Sequence, residues 1–168
     1  MDIFVEKIVA RKKGLKENIL SILLIIISVI VAVVAGLMIG PRGIVFLLVA
    51  GLIFGNWYLI SSFNIEYEYS ITNGEIDIDK IINKRKRKKI FTADCKDIEI
   101  MARITSKKYN ESIATVPNRI KAVSSMESPD VYFAMLNTNG KRSLIYFEPN
   151  EKMMKTLKSI IPGKIFIE

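Results

Sequence analysis

Residues 19–39 and 44–60 contain no charged side chain, and only Gly40-Pro41-Arg42-Gly43 separates them. The first stretch is 21 residues long, roughly 31 Å as a helix, which matches a hydrocarbon core of about 30 Å. The second has 17 residues and reaches a similar length if Ser61, Ser62 and Phe63 continue it. Trp57 and Tyr58 stand near its exit, at the level where amphipathic rings favour the headgroups. The pair reads as a transmembrane hairpin spanning 18–63. A secretory signal peptide would also start basic and turn apolar, with Ala32-Val33-Val34-Ala35 as a cleavage site. Its apolar region is usually about 7–15 residues, shorter than this one, and cleavage would leave the second stretch in place. A buried pair of helices in a soluble protein is the other alternative.

Basic residues set the expected orientation. Lys7, Arg11, Lys12, Lys13 and Lys16 precede the first stretch, only Arg42 lies between the two, and Lys80 and residues 84–89 follow. Lysine and arginine near spans stay inside, so a multi-pass protein of the cell membrane with both termini cytoplasmic is expected. Small residues recur along both stretches, at Ser28, Ala32, Gly36 and Gly40, and at Gly51 and Gly55. An antiparallel register centred on the turn sets Ser28 opposite Gly55, Ala32 opposite Gly51 and Leu47 opposite Gly36. Lipid gives helices no hydrophobic drive to associate, so close backbone approach at these small residues is expected to hold the hairpin. The same Gly-x-x-x-Gly spacings also suit a dimer face. Neither stretch carries an ionisable group, which argues for an anchor over a channel or pump.

Ahead of the hairpin, residues 1–17 read as a basic amphipathic interfacial segment. Met1, Phe4, Val5, Ile8 and Val9 can share one helical face, with Glu6, Lys7, Arg11 and Lys12 largely outside it.

Residues 64–168 have the composition of one soluble domain, enough for a compact core. Ile65-Glu66-Tyr67-Glu68-Tyr69-Ser70-Ile71 alternates with the period of a half-buried strand, and Asn73-Gly74 supplies a hairpin turn. Glu75-Ile76-Asp77-Ile78-Asp79 alternates again and runs on to Ile81-Ile82. Further strands are expected at Ile90-Phe91, 98–104, 131–136 and 142–147, the last two joined at Asn137-Thr138-Asn139-Gly140. A helix opens at Pro149 or Asn150, presents Met153, Met154, Leu157, Ile160 and Ile161 on one face, and stops at Pro162-Gly163. Residues 105–130 fit the strand pattern poorly, beyond one short strand near 119–124. The fold class is thus a membrane protein, an α-helical hairpin followed by an α+β domain. That domain is an antiparallel sheet or partial barrel capped by a C-terminal helix.

The quoted residues Tyr67-Glu68-Tyr69-Ser70-Ile71-Thr72, Ile76-Asp77-Ile78, 85–90 and Asp97-Ile98 resemble the bacterial pleckstrin-homology-like domains attached to paired N-terminal membrane helices. The resemblance covers nearly the whole chain and implies a fold and an anchored arrangement, with no defined activity. Lipid-binding members of the wider pleckstrin-homology group hold phosphoinositide with basic residues around the first hairpin. Here Thr72-Asn73-Gly74-Glu75 has none.

The residues offer little to a catalyst. There is no histidine, and Cys95 is the sole cysteine, flanked by Asp94, Lys96 and Asp97. No intramolecular disulfide, cysteine zinc site, phosphate-binding loop or Ser-x-x-Lys motif is present. A non-enzymatic module with no cofactor and no metal is expected. The candidate surface is the run Lys84-Arg85-Lys86-Arg87-Lys88-Lys89, with Arg11, Lys12 and Lys13 beside the first span. Residues 64–168 carry 19 basic and 14 acidic side chains, and this run decides the sign. A strand leaving the membrane for eight residues travels about 26 Å, and the next returns, so the run is expected at the anionic leaflet. Without interleaved aromatics the run gives no case for nucleic acid. The expected partners are the bilayer, through its anionic headgroups, and an unidentified protein. The alternative is an accessory subunit that joins a larger membrane complex through the hairpin.

Overall fold

A computed structural model describes residues 4–40, 43–138 and 140–166 of the chain. It divides into two units, Lys12–Ile65 and Met1–Arg11 with Glu66–Glu168.

The first unit is two helices, α1 (Leu15–Ile39) and α2 (Gly43–Ser61), both long and apolar enough to cross a membrane. At 25 and 19 residues they measure about 37 and 28 Å. α1 starts ahead of its apolar stretch because the Glu17 carboxylate accepts the Gly14 backbone N–H at 2.9 Å, which closes the first turn. Gly40 ends the helix with φ 75°, while Pro41 and Arg42 of the expected turn lie outside the described residues.

Side chains, and no close glycine contact, set the register. Asn56 Nδ2 donates to Ser28 Oγ at 2.9 Å, and Ser28 Oγ donates to the Leu24 carbonyl at 2.9 Å. The half-buried positions Ser21, Leu24, Ser28, Ala32 and Ala35 on α1 repeat at three- and four-residue spacing. Val45, Val49, Leu52, Asn56 and Ile60 do the same on α2. The antiparallel register is therefore one residue off the expected one, and Ala32 is level with Leu52. Gly51 is exposed, and a Cβ placed at Gly36, Gly40, Gly51 or Gly55 would meet nothing within 4 Å. The expected backbone approach at these glycines is corrected.

In the second unit the N-terminus is β1 (Phe4–Ala10), a strand where an interfacial helix was expected. Met1 of that expectation lies outside the described residues. Val5, Lys7 and Val9 turn inward while Phe4, Glu6 and Ile8 stay exposed, so the period is two. The same residues suit a helical face, but β-branched Val5, Ile8 and Val9 favour a strand, and β2 offers an edge to pair. β1 runs antiparallel to β2 (Ile65–Thr72) from Phe4↔Thr72 to Ala10↔Glu66. The sheet-bearing unit therefore starts before the helices and resumes after them; 64–168 is only part of it.

β2, β3 (Glu75–Ile82) and β4 (Lys86–Asp94) complete a four-stranded sheet in the order β1-β2-β3-β4. Asn73 (φ 50°) and Gly74 (φ 96°) make the turn that their residue types require. After a single 3-10 turn at Cys95–Asp97 the chain builds a second sheet. Its strands are β5 (Ile98–Arg103), β6 (Asn118–Lys121), β7 (Tyr132–Thr138), β8 (Lys141–Phe147) and β9 (Ile165–Phe166), in the order β6-β8-β7-β5-β9. Two pairings, β6 with β8 and β5 with β9, are parallel. Neither joins strands adjacent in sequence, so no hairpin forces them antiparallel. Asn139 of the β7–β8 turn lies outside the described residues.

Tyr67, Tyr69, Ile71, Ile76, Ile78, Phe133, Ile145, Phe147 and Leu157 are all buried, as expected. Tyr69 of β2 meets Phe147 of β8 edge-on at 5.8 Å, and its hydroxyl donates to the Ala122 carbonyl. Residues 105–130 pack against the second sheet. They hold the short helix α3 (Glu111–Ala114) and β6, and bury Ile113, Val116 and Val123 against Phe133, Leu144 and Tyr146. The helix α4 (Glu151–Ile160) starts where Asn150 Oδ1 accepts the Met153 N–H at 2.8 Å, and buries Met153 and Leu157.

Candidate functional site: a basic sheet end

Antiparallel pairing fixes what shares an end of the first sheet. Ala10 and Glu66, where the chain leaves for the helices and returns, are register partners. Asn73-Gly74 turns the chain at the far end, and β3 brings it back. The β3–β4 turn, residues 83–85, therefore lies at the same end as the two chain connections to the helices. Its N–H of Arg85 donates to the Ile82 carbonyl at 3.1 Å, and Asn83 (φ 50°) and Lys84 (φ 53°) both take left-handed backbone. For a lysine that conformation costs energy that glycine would not pay.

The basic run starts in this turn and continues along β4, which forms several residues earlier than Ile90-Phe91. Cross-strand charge explains the extension. Arg87 donates to the Glu68 carboxylate and lies 3.8 Å from Asp79, and Lys89 Nζ donates to Asp77 Oδ1 at 2.8 Å. Asp77 also accepts from Thr92. Partial burial works against the charged form of Asp77. The hydrogen bonds from Lys89 and Thr92 outweigh it, so the pKa falls below the usual carboxylate value. The bond to Asp77 raises that of Lys89 in turn.

A bulge separates the pairs Ile78↔Phe91 and Asp79↔Lys89, with Ile90 as the extra residue. Below it the two faces of the hairpin differ. Arg87 and Lys89 share the acidic outer face with Glu68, Asp77 and Asp79. Lys86 and Lys88 point the other way, opposite Ile82 and Lys80. Among the described residues no carboxylate reaches ion-pair distance of Lys80, Lys84, Lys86 or Lys88. The six predicted cations thus form no uniform patch, and Lys80 belongs with them. Centring a hairpin on Asn83-Lys84 would have found it. Arg11 closes the β1 side of this unit, whereas Lys12 and Lys13 belong to the helical unit. Asn56, whose amide ties α2 to Ser28, was visible in the sequence only as a lone polar residue in an apolar run.

Elsewhere, Arg103, Lys155 and Lys158 line a shallow groove of 400 Å³ together with Asp130 and Glu151, so opposite charges offset there. Cys95 is fully buried, and burial, with Asp94 beside it, pushes its thiol up to about 12. Among the described residues no three of His, Cys, Asp and Glu cluster as a metal site would need.

Residues 1–167 match the family model described as Bacterial PH-like domain (DUF6106). No curated protein and no solved structure matches the chain.

Proposed function

Because the chain belongs to the bacterial PH-like domain family, whose wider class consists generally of non-catalytic binding modules, we propose that it is a membrane-anchored, non-enzymatic interaction module. In this reading α1 and α2 cross the cell membrane as a hairpin, both termini are cytoplasmic, and the basic sheet end contacts the anionic leaflet. The opposite end, around Asn73-Gly74, is left for a protein partner.

One observation carries this reading: the helical pair interrupts two neighbouring strands, β1 and β2, of one sheet. Strands that pair must lie on one side of a membrane, so the two helices between them cross it an even number of times. Lysine and arginine flanking the helices name that side as the cytoplasm. Two short connections, through residues 11–14 and 62–64, tether the sheet by the end that carries the unpaired lysines. Each lysine near an anionic surface is worth about 1 kcal/mol, within a Debye length of about 8 Å.

Hydrogen exchange on the full chain in neutral and anionic nanodiscs tests the leaflet contact. Amides of 84–89 should exchange more slowly in anionic discs, and changing all six residues to glutamine should remove the difference. Equal exchange in both discs overturns the contact. The second reading, an accessory subunit joined through the hairpin, is favoured by the open outer side of α2 at Gly51. If proteins captured with the native chain are lost when residues 19–63 are replaced by an unrelated hairpin, that reading holds.

A further inference from the structure

Lys80 and Lys88 are direct cross-strand partners, and Lys86 lies beside them opposite Ile82. Strand alternation puts Lys80 and Ile82 on the same side of β3 as buried Ile76 and Ile78, beyond the edge of the core. Directly opposed residues hold their Cβ atoms about 4.5–5.5 Å apart, and like charges there are destabilising. On the outer face of the same hairpin the cations have Glu68, Asp77 and Asp79 as partners. On this face, among the described residues, no carboxylate reaches them. An anion seated between Lys80 and Lys88 turns the repulsion into attraction.

Protection of the sheet edge does not account for the arrangement. β4 is an outer strand, and lysines there deter edge-to-edge pairing. Arg87 and Lys89 serve that purpose equally well, and Lys80 sits on β3, which is paired on both sides. The tip adds Lys84, held at φ 53°.

We propose that Lys80, Lys86 and Lys88 form a binding face for the phosphate of an anionic lipid headgroup, and that Arg87 and Lys89, already neutralised by carboxylates, take no part. The lipid source rests on the anchored reading above, since both connections to the helices leave the sheet at this end. A phosphate accepts hydrogen bonds from several ammonium groups at once, which suits three lysines on one face.

Lysine acetylation, followed residue by residue with mass spectrometry on the full chain in nanodiscs, tests the assignment. Discs of phosphatidylcholine alone are compared with discs that include phosphatidylglycerol, and with neutral discs plus inorganic phosphate. Lys80, Lys86 and Lys88 should react about fivefold more slowly in the anionic discs, with Lys89 and Lys141 unchanged. Lys88→Gln should abolish the protection of Lys80 and Lys86, and Lys89→Gln should leave it. Equal protection of Lys86, Lys88 and Lys89 keeps the leaflet contact and overturns the phosphate face. Protection by inorganic phosphate in neutral discs as strong as that by the lipid overturns the lipid source. No protection in either disc overturns the proposal. The anchored reading fails separately, through extraction of the chain from the bilayer by alkaline carbonate.

Discussion

At the scale of single residues the ionisable groups divide into those the fold has neutralised and those it has left charged. The Cys95 thiol is held at about 12 by burial and by Asp94, so at neutral pH it is protonated and enclosed. Native protein should therefore resist maleimide at pH 7, and denaturant should expose one reactive thiol per chain; prompt labelling without denaturant would show that the site opens. Asp77 titrates below its unfolded value of about 3.9, so its share of stability is present above that pH. It is lost as pH falls through the folded pKa. Asp77→Asn should lower stability slightly near neutrality and leave it unchanged at the lowest pH, so that the acid limb of a stability–pH profile flattens; the effect is small because the partner Lys89 is mostly exposed. Glu68 is more consequential, being 9 % exposed and bound by Arg87. Glu68→Ala should cost about 1.5–3 kcal/mol in urea unfolding, the range for a hydrogen bond to a charged group. No change would mean that Arg87 finds Asp79 instead.

Elements were legible in the sequence where one period and one turn chemistry agreed. The β2–β3 hairpin had alternation on both sides of Asn73-Gly74, and α4 had an apolar face bounded by Asn150 and Pro162-Gly163. Leu157 is fully buried, and Leu157→Ala should cost about 2–5 kcal/mol; a loss below about half a kcal/mol would mean α4 does not seal the core. Legibility failed where a pattern served two periods, as in β1, whose short apolar set fits either a helical face or a strand. It failed in β4 because a run of six cations looks solvated until the carboxylates of β2 and β3 are placed beside it. In the helices, small residues pointed to backbone approach, whereas the structure uses the Asn56–Ser28 bond. Asn56→Ala should weaken the pair by about 0.6–1.7 kcal/mol in a double-mutant cycle with Ser28→Ala. Gly51→Leu should leave it unchanged, because the position faces open space. With Cys95 replaced by serine, cysteines at 32 and 52 should crosslink within one chain more readily than cysteines at 32 and 51.

For the molecule as a whole, one sheet is closed across a helical insertion, and chain connectivity then limits every topology. Residues before α1 and after α2 pair from Phe4↔Thr72 to Ala10↔Glu66, which no arrangement with one crossing permits. The sheet also cannot be completed until both helices have been made, since β1 waits for β2. Glu6 and Ser70 are register partners on the outer face. Opposed strand residues have Cα atoms about 4.5–5.5 Å apart, inside the range of about 4.4–6.8 Å that a disulfide spans. Cysteines at 6 and 70, with Cys95 changed to serine, should therefore close an intramolecular disulfide when intact membranes are treated with a mild oxidant. The pair 6 and 72 should not, because it is two residues out of register. A membrane-impermeant thiol reagent added to intact cells should label neither cysteine, and should label both after the membrane is opened. Labelling of one cysteine from each side would break the β1–β2 pairing and the even crossing with it.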